Sequence, residues 1–340
     1  MRTNLTQREL AKRIGVSYLT VNRSLSNKKE VSNETRERVL REAQKYGYRK
    51  NAMARSLKLQ RSFAIGMVGS NNPHGFWSDL LLSMERRARN LGYHVIICHH
   101  DEMSLSSAGE IEFLLGLQIE GLVFCAEILK GDLTELEAVM KSGIPVLLFD
   151  QYVPGTACNY LGTNSKGGAR KACEYLLGLG HTRIAFVSGP QRFYTSQSRL
   201  AGYREALAAA GIKSSQELVI EAGFYQKDGE LAAEKILSLE KIPTAIMAVN
   251  DPVAIGLYKK LKLRGLRIPE DISLVGYSGD EACELLSVPM TTVVQPVERL
   301  GHRAVEIVIA GIESGDATPV FEELNDELLI RDSCCPIGVH

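Results

Sequence analysis

Apolar residues in the first fifty positions recur every three to four residues, whereas beyond Phe63 they gather into short unbroken runs. The first texture predicts amphipathic helices; the second predicts buried strands separated by helices. Near the start, Thr6-Gln-Arg-Glu9 has the spacing of a capping box, in which Thr6 accepts from the amide three residues on and Glu9 reaches back. Leu10, Ala11 and Ile14 then supply an apolar stripe, and Gly15 stops the helix. Ser17 caps a second helix with Val21 and Leu25 on one face. Ser32 caps a third, carrying Val39, Leu40, Ala43 and Tyr46 and ended by Gly47. Helix, glycine-containing turn, helix is the helix-turn-helix arrangement, and three such helices can close a small core.

From Phe63 the runs Ala64–Val68, His94–Cys98, Gly121–Cys125 and Val146–Phe149 predict the strands of a first lobe. Ile184–Ser188, Glu217–Ile220, Ala245–Val249 and Ser273–Gly276 predict those of a second. These runs are β-branched and nearly uninterrupted, as in parallel sheets covered on both faces. Helical patterns near 77–90, 106–116, 132–142, 165–179, 197–210, 228–238, 252–264 and 297–311 separate them. The expected fold is an all-α head followed by two α/β lobes with mostly parallel, Rossmann-like sheets. The expected boundaries are a headpiece at 1–48, a linker at 49–61 and a large domain at 62–340. Within that domain the first lobe takes about 62–161 plus 291–322, and the second about 162–290 plus 323–335. Thr291–Gln295 and the helix after it are expected to return to the first lobe.

Charge sharpens this division. The chain has 340 residues with 40 Lys+Arg and 40 Asp+Glu, yet its first sixty carry 15 basic and 5 acidic groups. The remainder holds 25 basic against 35 acidic, so a head at +10 precedes a body at −10. A small cationic module suits a polyanion, and double-stranded DNA is the expected partner. The start has no apolar secretory core and no window approaches eighteen apolar residues, so a cytoplasmic protein with no membrane partner is expected. Seven scattered cysteines match no zinc spacing and read as reduced thiols. No nucleotide loop, metal site or paired nucleophile and base is found, which predicts no cofactor, no metal and no enzymatic activity.

In the helix-turn-helix reading, the second helix lies in the major groove. Tyr18 and Leu19 then meet base edges, and Arg23, one turn on, reaches guanine O6 and N7. Thr6, Ser17, Thr20, Asn22, Ser32 and Asn33 are expected to hold phosphates, which positions the head without reading sequence.

The string Leu10-Ala-Lys-Arg-Ile-Gly-Val-Ser17, with Thr20-Val21, Arg23, Leu25, Asn27, Val31-Ser32, Thr35-Arg36, Val39, Ala43 and Tyr46-Gly47-Tyr48, resembles the lactose/galactose repressor family. So does Asn51-Ala-Met-Ala-Arg55-Ser-Leu57. The resemblance implies a hinge helix that folds on operator DNA, with Asn51, Ala54 and Arg55 at the minor groove and Leu57 wedged between base pairs. Lys50 stands where the family usually has proline. The resemblance also implies a core like that of periplasmic sugar-binding proteins, with a small-molecule effector between the lobes, a sugar or related metabolite.

Effector contacts are expected at the carboxyl ends of the strands. The candidates are Phe76, Trp77, Asp150, Asn164, Arg199, Phe224, Asn250, Asp251 and Ser278. Asn164 and Asp251 are read equally well as helix caps. Most relatives carry two aspartates after the aromatic of Gly276-Tyr277; here Ser278 and Gly279 occupy those positions and Asp280 comes later. The implied function is a repressor that binds a pseudopalindromic operator as a homodimer under effector control. An activator or dual regulator answering to a non-sugar metabolite is the alternative. The tail carries no leucine heptads, so no tetramer is expected.

Overall fold

The computed structural model describes residues 5–26, 28, 30–48, 59–70, 75–100, 106–125, 134–315 and 318–338. The chain divides into two compact units, Met1–Ser62 and Phe63–His340. In the first, α1 (Gln7–Ile14), α2 (Tyr18–Leu25) and α3 (Asn33–Lys45) enclose Leu10, Ala11, Ile14, Val21, Val39 and Ala43. Leu40, expected inside, is 46% exposed, because Val39 and Ala43 already fill the contact face of α3. Each helix begins on a hydroxyl cap, Thr6, Ser17 or Ser32, and Gly15 takes the left-handed conformation (φ 72°) that ends α1.

The second unit holds two six-stranded sheets. The first sheet contains β1 (Ala64–Ser70), β2 (His94–His100), β3 (Gly121–Cys125), β4 (Val146–Phe149), β5 (Asn159–Thr163) and β11 (Phe321–Leu324), in the order β11-β5-β4-β3-β1-β2. The second contains β6 (Ile184–Ser188), β7 (Val219–Glu221), β8 (Ala245–Ala248), β9 (Ser273–Ser278), β10 (Thr291–Val294) and β12 (Glu327–Leu329), in the order β12-β10-β9-β8-β6-β7. Every pairing is parallel except β10 with β12. Helices cover both faces: α4 (Gly75–Asn90), α5 (Ala108–Gly116), α6 (Thr134–Lys141) and α11 (Val297–Ser314) in the first lobe. In the second they are α7 (Ser165–Gly178), α8 (Tyr194–Ala209), α9 (Gln226–Leu237) and α10 (Asp251–Leu263). Separate apolar clusters fill the two sides of each sheet.

Four expected boundaries are corrected. Thr291–Val294 stays in the second lobe, paired with β9, and only the helix after it, α11, returns to the first. The first sheet runs on to Thr163 through β5, and β11 joins it as far as Leu324. Residues 217–218, expected to open a strand, form a 3-10 turn ahead of β7. The chain therefore crosses between lobes at Asn164, at Gln295-Pro296 and at Asn325-Asp326. These crossovers hold one another: Asn164 Nδ2 donates to Asn325 Oδ1 at 3.4 Å, and Gln295 Nε2 donates to Thr163 Oγ1 at 3.3 Å.

Candidate nucleic-acid interface and ligand cleft

On α2 the burial of Val21 and Ser24 turns the opposite face outward. Tyr18 and Leu19 stand 44% and 60% exposed, and Arg23 follows Leu19 one turn later on the same face. Two large apolar side chains left in water beside an exposed guanidinium form a surface built for contact rather than solubility. The expected phosphate-facing groups have local roles as well. Thr6 Oγ1 accepts from the Glu9 amide at 3.2 Å, Ser17 Oγ from the Thr20 amide at 3.0 Å, and Ser32 Oγ from the Thr35 amide at 3.3 Å. The Thr6 amide and hydroxyl, with nearby Arg13 and Lys12, hold the Glu9 carboxyl below its ordinary range. Thr20 Oγ1 bonds Ser17 Oγ at 2.8 Å, and Asn33 Oδ1 accepts from Arg36 at 3.1 Å. Asn22 Nδ2 donates to Gln7 Oε1 at 3.1 Å, which ties α2 to α1. Asn51, Ala54, Arg55 and Leu57, with Lys50, lie outside the described residues.

Between the lobes, at the carboxyl ends of the strands, lies a cleft of about 520 Å³ including its open mouth. Phe76 and Trp77 enter it from the first turn of α4, and Asp150 from the end of β4. Arg199 comes from α8, Phe224 from beyond β7, Asn250 from the start of α10 and Ser278 from the end of β9. Those seven expected residues line it together. Thr195, Pro252 and Gln295 complete it and were not read from the sequence. Thr195 was legible in principle, since it sits four residues before Arg199 on one helix face.

Two expected residues do not line the cleft. Asn164 caps α7, its side-chain oxygen accepting from the Gly167 amide at 2.9 Å. Asp251 is fully buried behind the wall and does not cap α10 either; Asn250 does, accepting from the Val253 amide at 2.9 Å. Asp251 instead accepts from Thr292 Oγ1 at 2.6 Å, the Asp280 amide at 2.7 Å and Ser278 Oγ at 3.3 Å. Burial pushes its carboxyl up, opposed by the Thr292 and Asp280 hydrogen bonds. It pins the turn at Ser278, whose φ of 122° is rare for a residue with a side chain.

Arg199 is 6% exposed. Its Nη1 donates to the Val249 carbonyl at 2.5 Å, and its guanidinium carbon lies 3.8 Å from the centre of the Tyr277 ring. Such a desolvated cation–π contact is worth on the order of 2 kcal/mol. Tyr277 Oη in turn bonds the Asp326 carboxylate at the third crossover. Burial pushes the Asp326 carboxyl up to about 6, against the pull of Tyr277 and Arg199. Asp150 is likewise pushed up by burial, with Arg199 and the Gln151 amide opposing. Gln151 is a buried amide that bridges the lobes. Its Nε2 donates to Asp150 Oδ2 at 3.0 Å and to Thr195 Oγ1 at 2.8 Å.

A trihelical cationic head and a two-lobed α/β domain with a polar, aromatic-lined cleft both have counterparts among known proteins. Residues 6–51 match the model of the bacterial regulatory proteins of the lacI family, and residues 173–334 match a periplasmic binding protein-like domain. The HTH-type transcriptional repressor PurR of Vibrio campbellii is 32% identical over 331 residues, covering 96% of this chain and 98% of that protein. The chain belongs to the lacI family. Among solved structures, the lac repressor dimer bound to operator and the anti-inducer ONPF is 26% identical with TM-score 0.85, covering 98% of this chain and all of that one. The transcriptional regulator CelR in complex with cellobiose is 28% identical with TM-score 0.73, covering 96% and 99%. This lacI-family member is therefore a DNA-binding transcriptional regulator with a ligand-binding type of core. Among the described residues no helix is long and apolar enough to cross a membrane.

Proposed function

We propose that the protein is a repressor that binds a pseudopalindromic operator as a homodimer and answers to a small polyhydroxylated metabolite held between the lobes. The exposed Tyr18, Leu19 and Arg23 on one face of α2 carry the DNA half of this reading. In a major groove, Arg23 takes guanine through two hydrogen bonds, while Tyr18 and Leu19 make apolar contacts with base edges. Thr6, Ser17 and Ser32 begin three helices whose free amides suit phosphates. The lac repressor relative was solved as a dimer on operator, which supports two heads reading two half-sites. Asn51, Ala54, Arg55 and Leu57 form the hinge in this proposal, and Leu57 kinks the operator centre.

For the cleft, Asp150 accepts from hydroxyls, Arg199 donates to them, and Phe76, Trp77 and Phe224 offer faces to a ring. Asp251 acts through Ser278 without touching the ligand. A ligand that favours one lobe arrangement shifts the balance between operator-bound and free forms by its differential affinity and no more. The test is operator retention by intact protein across a sugar and sugar-derivative panel. The expected result is that at least one compound shifts half-saturation several-fold in either direction. Tight operator binding that no small molecule alters would remove the effector half of the proposal.

A further inference from the structure

We infer that the ligand of this cleft is a sugar acid, a small polyol that presents a carboxylate to Arg199 and hydroxyls to Asp150. This rests on reading the cleft as the effector site and narrows the chemistry of its occupant. Arg199 is the single cation among the described lining residues. It is more than nine-tenths buried, its Nε has no hydrogen-bond partner, and no carboxylate among the described residues lies within ion-pairing distance of it. Its one hydrogen bond goes from Nη1 to a main-chain carbonyl, and its face is covered by Tyr277. A buried guanidinium left with an open donor edge is costly, and an anion relieves that cost better than a hydroxyl does.

The neutral wall has little to offer in its place. Asn250 accepts from the Val253 amide and donates to the Phe224 carbonyl, and the Ser278 hydroxyl points its proton at Asp251. Asp326 lies in the field of Arg199, but its carboxylate is bonded to Tyr277 Oη. The second pole is Asp150, also nine-tenths buried, held at φ 64° and oriented by Gln151. Asp150 and Arg199 are not ion-paired with each other, so the cleft offers an acceptor and a charged donor at separate points. A carboxylate at one end of a polyol and hydroxyls at the other answer both. Beyond Arg199 the described lining residues hold no cation for a second ligand charge, which disfavours a phosphate dianion.

The experiment is calorimetric titration of the intact protein with matched pairs: D-glucuronate and D-glucose, D-galacturonate and D-galactose, D-gluconate and D-glucitol. Glucose 6-phosphate serves as the dianion. At least one acid should bind tenfold or more tightly than its neutral partner. That preference should vanish in Arg199→Gln and survive in part in Arg199→Lys, which keeps the charge without the fork. Neutral partners binding as tightly as the acids, the phosphate ester binding best, or no acid binding at all would each overturn the inference. Operator retention in the same samples separates the two readings. A neutral sugar that shifts it leaves the effector proposal standing while the sugar acid falls, whereas a protein that retains no operator undoes the regulator proposal itself.

Discussion

At Tyr277 a phenol carries a buried guanidinium over its ring and donates its hydroxyl to a buried carboxylate, and that carboxylate gives the molecule a measurable pH response. The folded Asp326 carboxyl titrates near 6, against 3.8 ordinarily, so the folded chain holds a proton there that the unfolded chain has lost. Its ionisation costs stability on the order of 3 kcal/mol above pH 6, and that cost is relieved as pH falls through 6 toward 4. His181 works the other way. Its ring bonds Thr244 Oγ1 at 2.9 Å and the Cys335 carbonyl at 3.1 Å, and burial lowers its pKa. Below its ordinary pKa the unfolded chain takes up a proton that the folded ring resists, so stability falls as pH drops. Asp326→Asn should therefore melt above the wild type at pH 8, with the gap about halved at pH 5 and closing only toward pH 4; a gap independent of pH would count against this account. On the DNA side, Arg23→Ala should relax preference at one base pair per half-site by about 1–3 kcal/mol if the contact is bidentate. Competition with single-base operator variants measures it, and unchanged preference would remove Arg23 as a reader.

Helix contacts in the second lobe depend on glycine in a way the sequence does not announce. Where α9 crosses α10, a Cβ on Gly229 would lie 2.0 Å from the Val253 carbonyl oxygen, and one on Gly256 would lie 2.0 Å from that of Gln226. Gly229→Ala and Gly256→Ala should each cost about 1–3 kcal/mol or more by overpacking. Gly109→Ala meets nothing within 4 Å and should change stability by less than about 1 kcal/mol. Denaturant melts of the three variants check the contrast; equal effects would contradict it. Strands fully buried on both faces, Gly121–Cys125, Val146–Phe149 and Ile184–Ser188, were legible because they read as continuous apolar runs. Asn159–Thr163, Phe321–Leu324 and Glu327–Leu329 were not. The last two are three- or four-residue edge strands, and Phe-Glu-Glu-Leu carries no more strand signal than a loop; Asn159–Thr163 lies inside its sheet, but Asn, Gly and Thr interrupt its apolar run. Nor does local pattern say which sheet a strand will join, so Thr291–Val294 was assigned to the wrong lobe. The cleft was legible at residues that end strands, such as Asp150 and Ser278. It was hidden at Pro252 and Gln295, which carry no signal of their own, while Thr195 follows only once Arg199 is placed on the cleft face of its helix.

For the molecule as a whole, charge and topology assign separate tasks to separate units. The +10 head should make operator binding steeply salt-dependent, with log affinity falling linearly against log salt as phosphates release their counterions. The body's three crossovers, linked through Asn164, Gln295 and Asn325, give the two lobes a common joint next to the cleft. The most direct test is selection of duplexes from a random pool by the intact protein at low and moderate salt. The account predicts enrichment of a two-fold symmetric site, and loss of that enrichment when Leu19 and Arg23 are both replaced by alanine. Recovery of sequences no different from the starting pool, at either salt and with or without sugar acids present, would contradict it.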